Sequence, residues 1–489
     1  MTTLITLGLP VLGAVACFLM PRNPKAVRWV ATAFGILTLA SALSLLAGGG
    51  TSLVAPWIPA FGIEFHLGVD GLSVFLVILT AFLTTVVFFF GGEKERPGAY
   101  YGLILLLEAA TLGAFVSLDL FLFYLFWEFM IIPAYLLIGG FGGERRRLAA
   151  LKFLVYSLVP SLFMLVGLLV LVWAAEPAIG HVTFELGTLT AHPLTLPYQY
   201  WILLSFLFAF LVKVPVWPLH SWLPDAYGEA RPPIAALLSG VMSKTGLYAL
   251  LRIALPLFPQ AAHALSPYLA VIALISILYG AMVALTNKDG RLIIGYSSLS
   301  HLGLVFLGIV AMNAVGMDGA VFQMVNHGLY VVALFLLFGL IEEATGIRDI
   351  SRLGGLARRA PLFAGFMLFA VMAALGLPGL NGFAGEFMLL VGIFKTNPVW
   401  AWIAILGAIL AAAYFIRMFE SSMQGPKATE ETAQVAIGPG QIAVLAPVLA
   451  LMLLFGLSPS TLVREIHPAT TAIVHILGPM NAPHEVSGR

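Results

Sequence analysis

The chain has 489 residues, 61% of them hydrophobic and 10% charged, with a net charge of +1. A soluble domain carries about 25% charge, so this one belongs in a bilayer, and its near-zero balance gives no basis for nucleic-acid binding. The single cysteine, Cys17, excludes iron–sulfur ligation, cysteine-based zinc sites and internal disulfides.

A spanning helix needs about 20 apolar residues. Fourteen are predicted in chain order, over 2–20, 27–47, 73–91, 101–117, 119–140, 150–173, 200–222, 233–254, 265–286, 291–312, 317–340, 361–395, 398–418 and 437–458. The fold expected is an all-α polytopic membrane protein forming a single membrane domain. The first span is not a secretory leader, because its basic residues follow the apolar run. Of the 24 Lys and Arg, Lys213 and Lys244 are intramembrane, and eighteen fall in or beside alternate loops, from Arg22, Lys25 and Arg28 to Arg417 and Lys427. Arg252, Lys395, Arg464 and Arg489 lie opposite. This split predicts cytoplasmic loops after odd-numbered spans and both termini on the outer side.

The seventh and twelfth spans carry breaks, at Lys213-Val-Pro215-Val-Trp-Pro218 and at Gly376-Leu-Pro378-Gly379-Leu-Asn381. Proline removes a backbone donor, and in lipid the freed carbonyls must be satisfied by protein or water. One such break reads as a packing kink; two, each beside an intramembrane charge, favour a site. Glu128 to His301, Lys213 to Glu386 and Lys244 to Arg417 are each 173 residues apart. That spacing predicts two inverted five-helix repeats, 101–254 and 265–418, preceded by three helices (1–91) and followed by one (437–458).

Six ionisable groups sit mid-span: Glu128, Lys213, Lys244, His301, His327 and Glu386. Each costs about 2.5–3.5 kcal/mol or more there, and a string of titratable groups across a helix bundle is what a proton path requires. Alone, Glu128 and Lys213 would each be driven to the neutral form; side by side, each favours the other's charge. Moving one charge against about 200 mV costs about 4.6 kcal/mol, a cost that breaking and remaking one buried pair can meet. A static ion pair is the plainer reading, but it leaves the other four groups unexplained. Lys244 is too central to snorkel. His301 and His327 titrate near neutrality and suit a relay; the alternatives are hydrogen-bonded core histidines or bis-histidine haem ligation. Glu386 lies past the second break, toward the predicted outer face, and Glu108 is a further buried carboxylate and a secondary partner. His66, Asp70, His220, Asp225 and Glu229 fall near membrane surfaces. No phosphate loop, metal-ligand spacing or hydrolase constellation is visible, so a gradient or a partner must supply the energy.

These residues resemble the antiporter-like membrane subunits of respiratory complex I (NADH–quinone oxidoreductase), most closely the subunit M branch. The likeness rests on Gly68-Val-Asp70-Gly-Leu-Ser73, Asp119-Leu-Phe-Leu-Phe-Tyr124 with Trp127-Glu128, Lys213 through Pro224, Lys244-Thr-Gly246, Tyr296 through His301, Asn326-His327-Gly328 and Gly376-Leu-Pro378-Gly379. It implies Glu128 and Lys213 at the inner half-channel, Lys244 as central relay, His301 and His327 linking the halves, and Glu386 as outer terminal group. Related antiporter subunits usually carry lysine where Glu386 stands. Tyr227 replaces a usual histidine, and Gly290 a usual basic residue. The resemblance implies a proton-translocating subunit with no cofactor of its own in a bacterial plasma membrane. NADH, flavin, iron–sulfur clusters and quinone would belong to partner subunits, and neighbouring antiporter-like subunits would flank it. A stand-alone cation/proton antiporter subunit and a haem-bearing quinol-oxidising subunit are the rivals.

Overall fold

The computed structural model describes residues 1–47, 52–90, 92–426 and 435–478. Gly91, which ends the third predicted span, and Lys427 and Arg489 of the charge split lie outside them. The chain opens with α1 (Thr2–Leu19) and α2 (Pro24–Ser44), whose turn is fixed by Asn23 capping the amide of Ala26 at 3.2 Å. Strands β1 (Ser52–Ile58) and β2 (Ile63–Gly68) follow, then α3 (Val74–Val87) and α4 (Pro97–Val116). Next come α5 (Leu120–Phe129), α6 (Ile131–Phe141), α7 (Arg146–Ile179), the short α8 (Leu186–Ala191) and α9 (Leu196–Lys213). After a non-helical stretch come α10 (Trp222–Glu229) and a span made of α11 (Pro232–Leu237), α12 (Lys244–Ala249) and α13 (Leu255–Leu257). The second half has α14 (Pro259–Thr286), α15 (Gly290–Val310), α16 (Ala314–Thr345) and α17 (Leu356–Arg359). It continues with α18 (Pro361–Ala374), α19 (Asn381–Thr396), α20 (Pro398–Met423), α21 (Pro439–Leu457) and α22 (Ser460–Leu477).

Twelve helices among the described residues are long and apolar enough to cross a membrane. The third and twelfth predicted spans correspond to the shorter apolar helices α3 and α18, the latter continued by α19 beyond its break. The α11–α13 span and α16 are buried throughout their apolar windows, so they form the centre of the bundle, while α1, α2, α20 and α21 turn much of their surface outward. Outward leucine, phenylalanine and tryptophan are expected where lipid is the solvent.

Both predicted breaks are present. α9 stops at Lys213 and helix resumes at Trp222; α18 stops at Ala374 and resumes at Asn381. In the second, Gly376 and Gly379 adopt positive φ (79° and 95°), which a side chain would resist. The predicted 200–222 helix is therefore shorter at its far end.

Two features fall outside the fourteen-span reading. One is the antiparallel β1–β2 hairpin, with Ser52 opposite Gly68 and a bulge at Pro56/Ile58. It is held to the bundle by Asp119, whose carboxylate accepts from the amide of Glu64 (3.0 Å) and also caps α5 through the amides of Phe121 and Leu122. The other is α22, whose buried residues Leu462, Ile466, Thr470, Ile473 and Leu477 recur at helical spacing. It packs against α13, α14, α16 and α21, and Asp318 of α16 grips it through His467 (2.7 Å) and Thr470.

Candidate functional site

The middle of the bundle holds one polar chain. Lys244, with no exposed surface, begins α12 between two π-helical segments, Leu238–Met242 and Leu250–Ala254. Such segments concentrate at functional sites because they re-aim side chains and carbonyls. Lys244 Nζ donates to the Ser239 carbonyl (2.5 Å) and lies 2.7 Å from His327 Nδ1. Ser239 Oγ in turn shares a 2.9 Å hydrogen bond with Ser298 Oγ of α15. His327, on α16, leaves Nε2 without a partner among the described residues.

His301 is the next group along. Its ring centroid is 6.0 Å from that of His327, and the Tyr330 ring touches both. His301 Nδ1 is 3.0 Å from Glu386 Oε1, close enough for an ion pair but not aligned as a hydrogen bond. Its Nε2 lies 3.3 Å from Tyr414 Oη, and Phe415 stacks on the ring. A void of about 10 Å³ touches both His301 and Glu386, room for about one water. A haem finds no room at His301: the void there is about 10 Å³, and both ring nitrogens of His301 face other side chains, Glu386 and Tyr414.

Glu386 is delivered by close backbone packing. A Cβ on Gly385 would fall 2.0 Å from Gln323 Oε1, and one on Gly392 would fall 2.4 Å from the Gly316 backbone. Small residues let α19 approach α16, as membrane interfaces require. Asn326 donates to the Asn381 carbonyl (2.9 Å), and Asn381 donates back to Asn326 Oδ1 (3.2 Å), tying the restart of the broken helix to the helix that carries His327. The sequence reading missed Gln323, Asn381, Ser239 and Tyr414. Gln323 was visible one helical turn before His327.

The other predicted groups are placed differently. Glu128 and Lys213 come near each other, but their charged atoms are not within ion-pair distance. Lys213 Nζ has no hydrogen-bond partner and sits 4.7 Å from the Trp127 ring centroid, a cation–π contact. The tyrosine and serine hydroxyls of Tyr124 and Ser161 face Glu128. The predicted closed pair is therefore open, with an aromatic face holding the ammonium. Glu108 is buried on α4 with both oxygens unpartnered among the described residues, so it is not joined to the chain of groups. Arg417, the numerical counterpart of Lys244, instead donates to the carbonyls of Leu285 and Asn287, closing the C-terminal end of α14.

The groups predicted near the membrane surfaces make local contacts. His66 faces Glu185 at 3.6 Å, Lys152 meets Asp225 at 2.6 Å, Arg145 meets Glu229 at 3.5 Å, and His220 lies against Tyr279. Tyr227 is fully buried between Trp222 and Phe335, and a Cβ on Gly290 would strike the Phe338 ring at 2.1 Å. Two carboxylates at the ends of the bundle are tuned. Burial opposes ionisation of Glu93, but the amides of Arg96 and Glu95 and the Arg231 guanidinium outweigh it and hold the carboxyl below its ordinary range. Burial likewise opposes ionisation of Asp70 and is outweighed by Arg252 and two local backbone contacts, so its carboxyl is also held low. No group of three His, Cys, Asp or Glu among the described residues is arranged to hold a metal ion.

The chain is similar to known proteins. Residues 117–411 match the family model described as NADH:quinone oxidoreductase/Mrp antiporter, transmembrane region. The chain is 35% identical over 481 residues to NADH-quinone oxidoreductase subunit M of Rickettsia prowazekii, covering 95% of this chain and 96% of that one. It is 38% identical over 440 residues to F(420)H(2) dehydrogenase subunit M of Methanosarcina mazei, covering 87% of each. Among solved structures it is similar to a chain of respiratory complex I from Thermus thermophilus with bound NADH. That match has a TM-score of 0.90 at 33% identity and covers 98% of this chain and all of the other.

Proposed function

The chain belongs to the NADH-quinone oxidoreductase subunit M family of antiporter-like membrane proteins, and from that membership we propose that it moves protons across the bilayer through Lys244, His327, His301 and Glu386. The observation that carries this reading is the 2.7 Å contact between Lys244 Nζ and His327 Nδ1 at the fully buried centre of the bundle. A lysine and a histidine at that distance cannot comfortably both be protonated, so a proton arriving on one favours release from the other. His301 and Glu386 then form an acceptor pair one ring away, with Tyr414 orienting the imidazole. Glu128 and Lys213 form the switchable input. Lys213 is held on Trp127 and not on the carboxylate, so closing the pair trades the aromatic face for the carboxylate.

Redox chemistry in partner subunits drives that closure, and this chain contributes no redox centre. The partners are other membrane-arm subunits of the same complex, in a bacterial plasma membrane, with both termini on the outer side. The hairpin, α8 and α22 then share that side, and Arg145, Glu229 and Arg231 the inner one. The two halves, 101–254 and 265–418, are inverted repeats in which each contributes one broken helix. A stand-alone cation/proton antiporter is the second reading, since the family model spans both kinds of protein. Glu386, where antiporter subunits usually carry lysine, argues against it.

The test is NADH-driven acidification of inverted membrane vesicles carrying the assembled complex with Lys244→Ala. Electron transfer with lowered proton translocation is expected. Normal translocation in an intact complex would sink the relay, and sodium-dependent exchange without NADH would favour the antiporter.

A further inference from the structure

A relay that crosses a membrane needs walls as well as carriers, because a second outlet from its central group would dissipate what it moves. One face of the Lys244 span poses that problem. Lys244, Tyr248 and Arg252 are spaced four residues apart, so they line one helical face from the bundle centre to the hairpin end. At that end a cavity of about 330 Å³ is lined by Asp70, Glu185 and Arg252 together with residues of α22. Arg252 reaches the cavity, and Lys244, two turns deeper, has no exposed surface.

The groups between them are arranged to stop a proton. Tyr248 Oη donates its hydrogen to the Phe115 carbonyl at 2.9 Å and accepts from Arg252 Nε at 3.2 Å. A hydroxyl has one hydrogen to give, so this one cannot hand a proton onward without first leaving the Phe115 carbonyl. The Phe115 ring packs edge-on against Tyr248 and restrains that rearrangement. Arg252 cannot be deprotonated under any ordinary condition, so it carries no proton, and, paired with Asp70, it fills the face between Tyr248 and the cavity with a group that relays none. Asp70 anchors the guanidinium from outside the span, and its own carboxylate is oriented by the amide of Leu72 at 3.0 Å.

We propose that Tyr248, Arg252 and Asp70 form a seal that closes Lys244 off from the hairpin end of the bundle, so that a proton on Lys244 leaves only through His327. The proposal rests on the relay reading above, and it assigns to Arg252 a positioning and insulating role, with no part in carrying the proton. Removing the guanidinium turns the Lys244 face into a short circuit.

The test uses the intact complex reconstituted in sealed vesicles, with two readouts: decay of an imposed pH gradient in the absence of NADH, and stimulation of NADH oxidation by an uncoupler. In Arg252→Gln the imposed gradient decays roughly ten-fold faster, a barrier lowered by about 1.4 kcal/mol. NADH oxidation continues, and the uncoupler no longer stimulates it. Adding Lys244→Ala to Arg252→Gln restores a tight vesicle, because the leak passes through Lys244. Should Arg252→Gln fail to assemble, Asp70→Asn releases the guanidinium from its anchor and reports on the same seal by the same readouts. Vesicles that stay tight in Arg252→Gln, or in Asp70→Asn when that variant stands in, overturn the seal. A leak that persists when Lys244 is absent overturns it too, since it would mark general loss of packing. Normal pumping by Lys244→Ala alone is the separate result that sinks the relay.

Discussion

The two broken helices place their charges on opposite sides of the break. Lys213 is the last residue of α9 before the first interruption, whereas Glu386 lies within α19, after the second. The consequence is visible in their surroundings. Lys213 ends on an aromatic face with no hydrogen-bond partner, and Glu386 is fixed by glycine-mediated packing of α19 on α16 and lies 3.0 Å from His301. The first half holds its charge loosely and the second holds it in register. An input that must open and close needs the first arrangement, and a terminal acceptor that must always be ready needs the second.

That contrast can be broken most directly at the node both halves share. Lys244→Ala should slow proton transfer through this chain by about 100-fold, the size of a lost acid–base group, measured as fluorescence quenching in NADH-energised vesicles. Next in size is the Lys213 pair of variants. If Lys213 gives up its proton during turnover, Lys213→Arg should fail nearly as badly as Lys213→Ala, because arginine keeps its charge. Pumping retained by the arginine variant would make the first half a static ion-pair site and erase the difference between the halves.

Smaller effects sharpen the comparison at the end of the bundle opposite the hairpin. In Gly290→Arg any Cβ meets Phe338, so a loss of about 1–3 kcal/mol in stability is expected from overpacking. Thermal melting in detergent measures it, and an unchanged melting temperature would remove the packing reason for glycine in the second half. At the partner of Arg231 in the first half, Glu93→Gln should cost no more than about 1 kcal/mol at neutral pH, since Arg231 is partly exposed and solvent screens the pair. The sign with pH follows from the depressed carboxyl of Glu93. Its stabilisation is full above the ordinary carboxylate value of about 4.3 and disappears as pH falls through the lower folded value. Wild type and Glu93→Gln should therefore melt together in strong acid and apart at pH 7; a constant gap would argue against the ionic origin.

Much of this was legible in the residues. The apolar stretches, both breaks and the ionisable groups at mid-depth all follow from how much burial of charge and of unpaired backbone costs in lipid. Number alone does not give a residue's surroundings. The 173-residue spacing pairs Lys213 with Glu386 and Lys244 with Arg417 by number, yet those groups stand differently to the breaks, and Arg417 closes a helix end. Depth along a helix can be read from sequence; the rotamer that turned Lys213 to Trp127 cannot. The hairpin escaped notice because Pro56 interrupts its strand pattern, and α22 because Arg464, Glu465 and His467 lower its apolarity, although its buried stripe repeats at helical spacing.

The glycine seam between α16 and α19 has a consequence for how such a chain can change. Gly316 and Gly392 press on neighbouring backbone and Gly385 on the Gln323 side chain, so a methyl group at any of the three must displace a neighbour and the seam is set by shape. The titrating side chain at position 386 and the glycines that present it are thus specified by different residues.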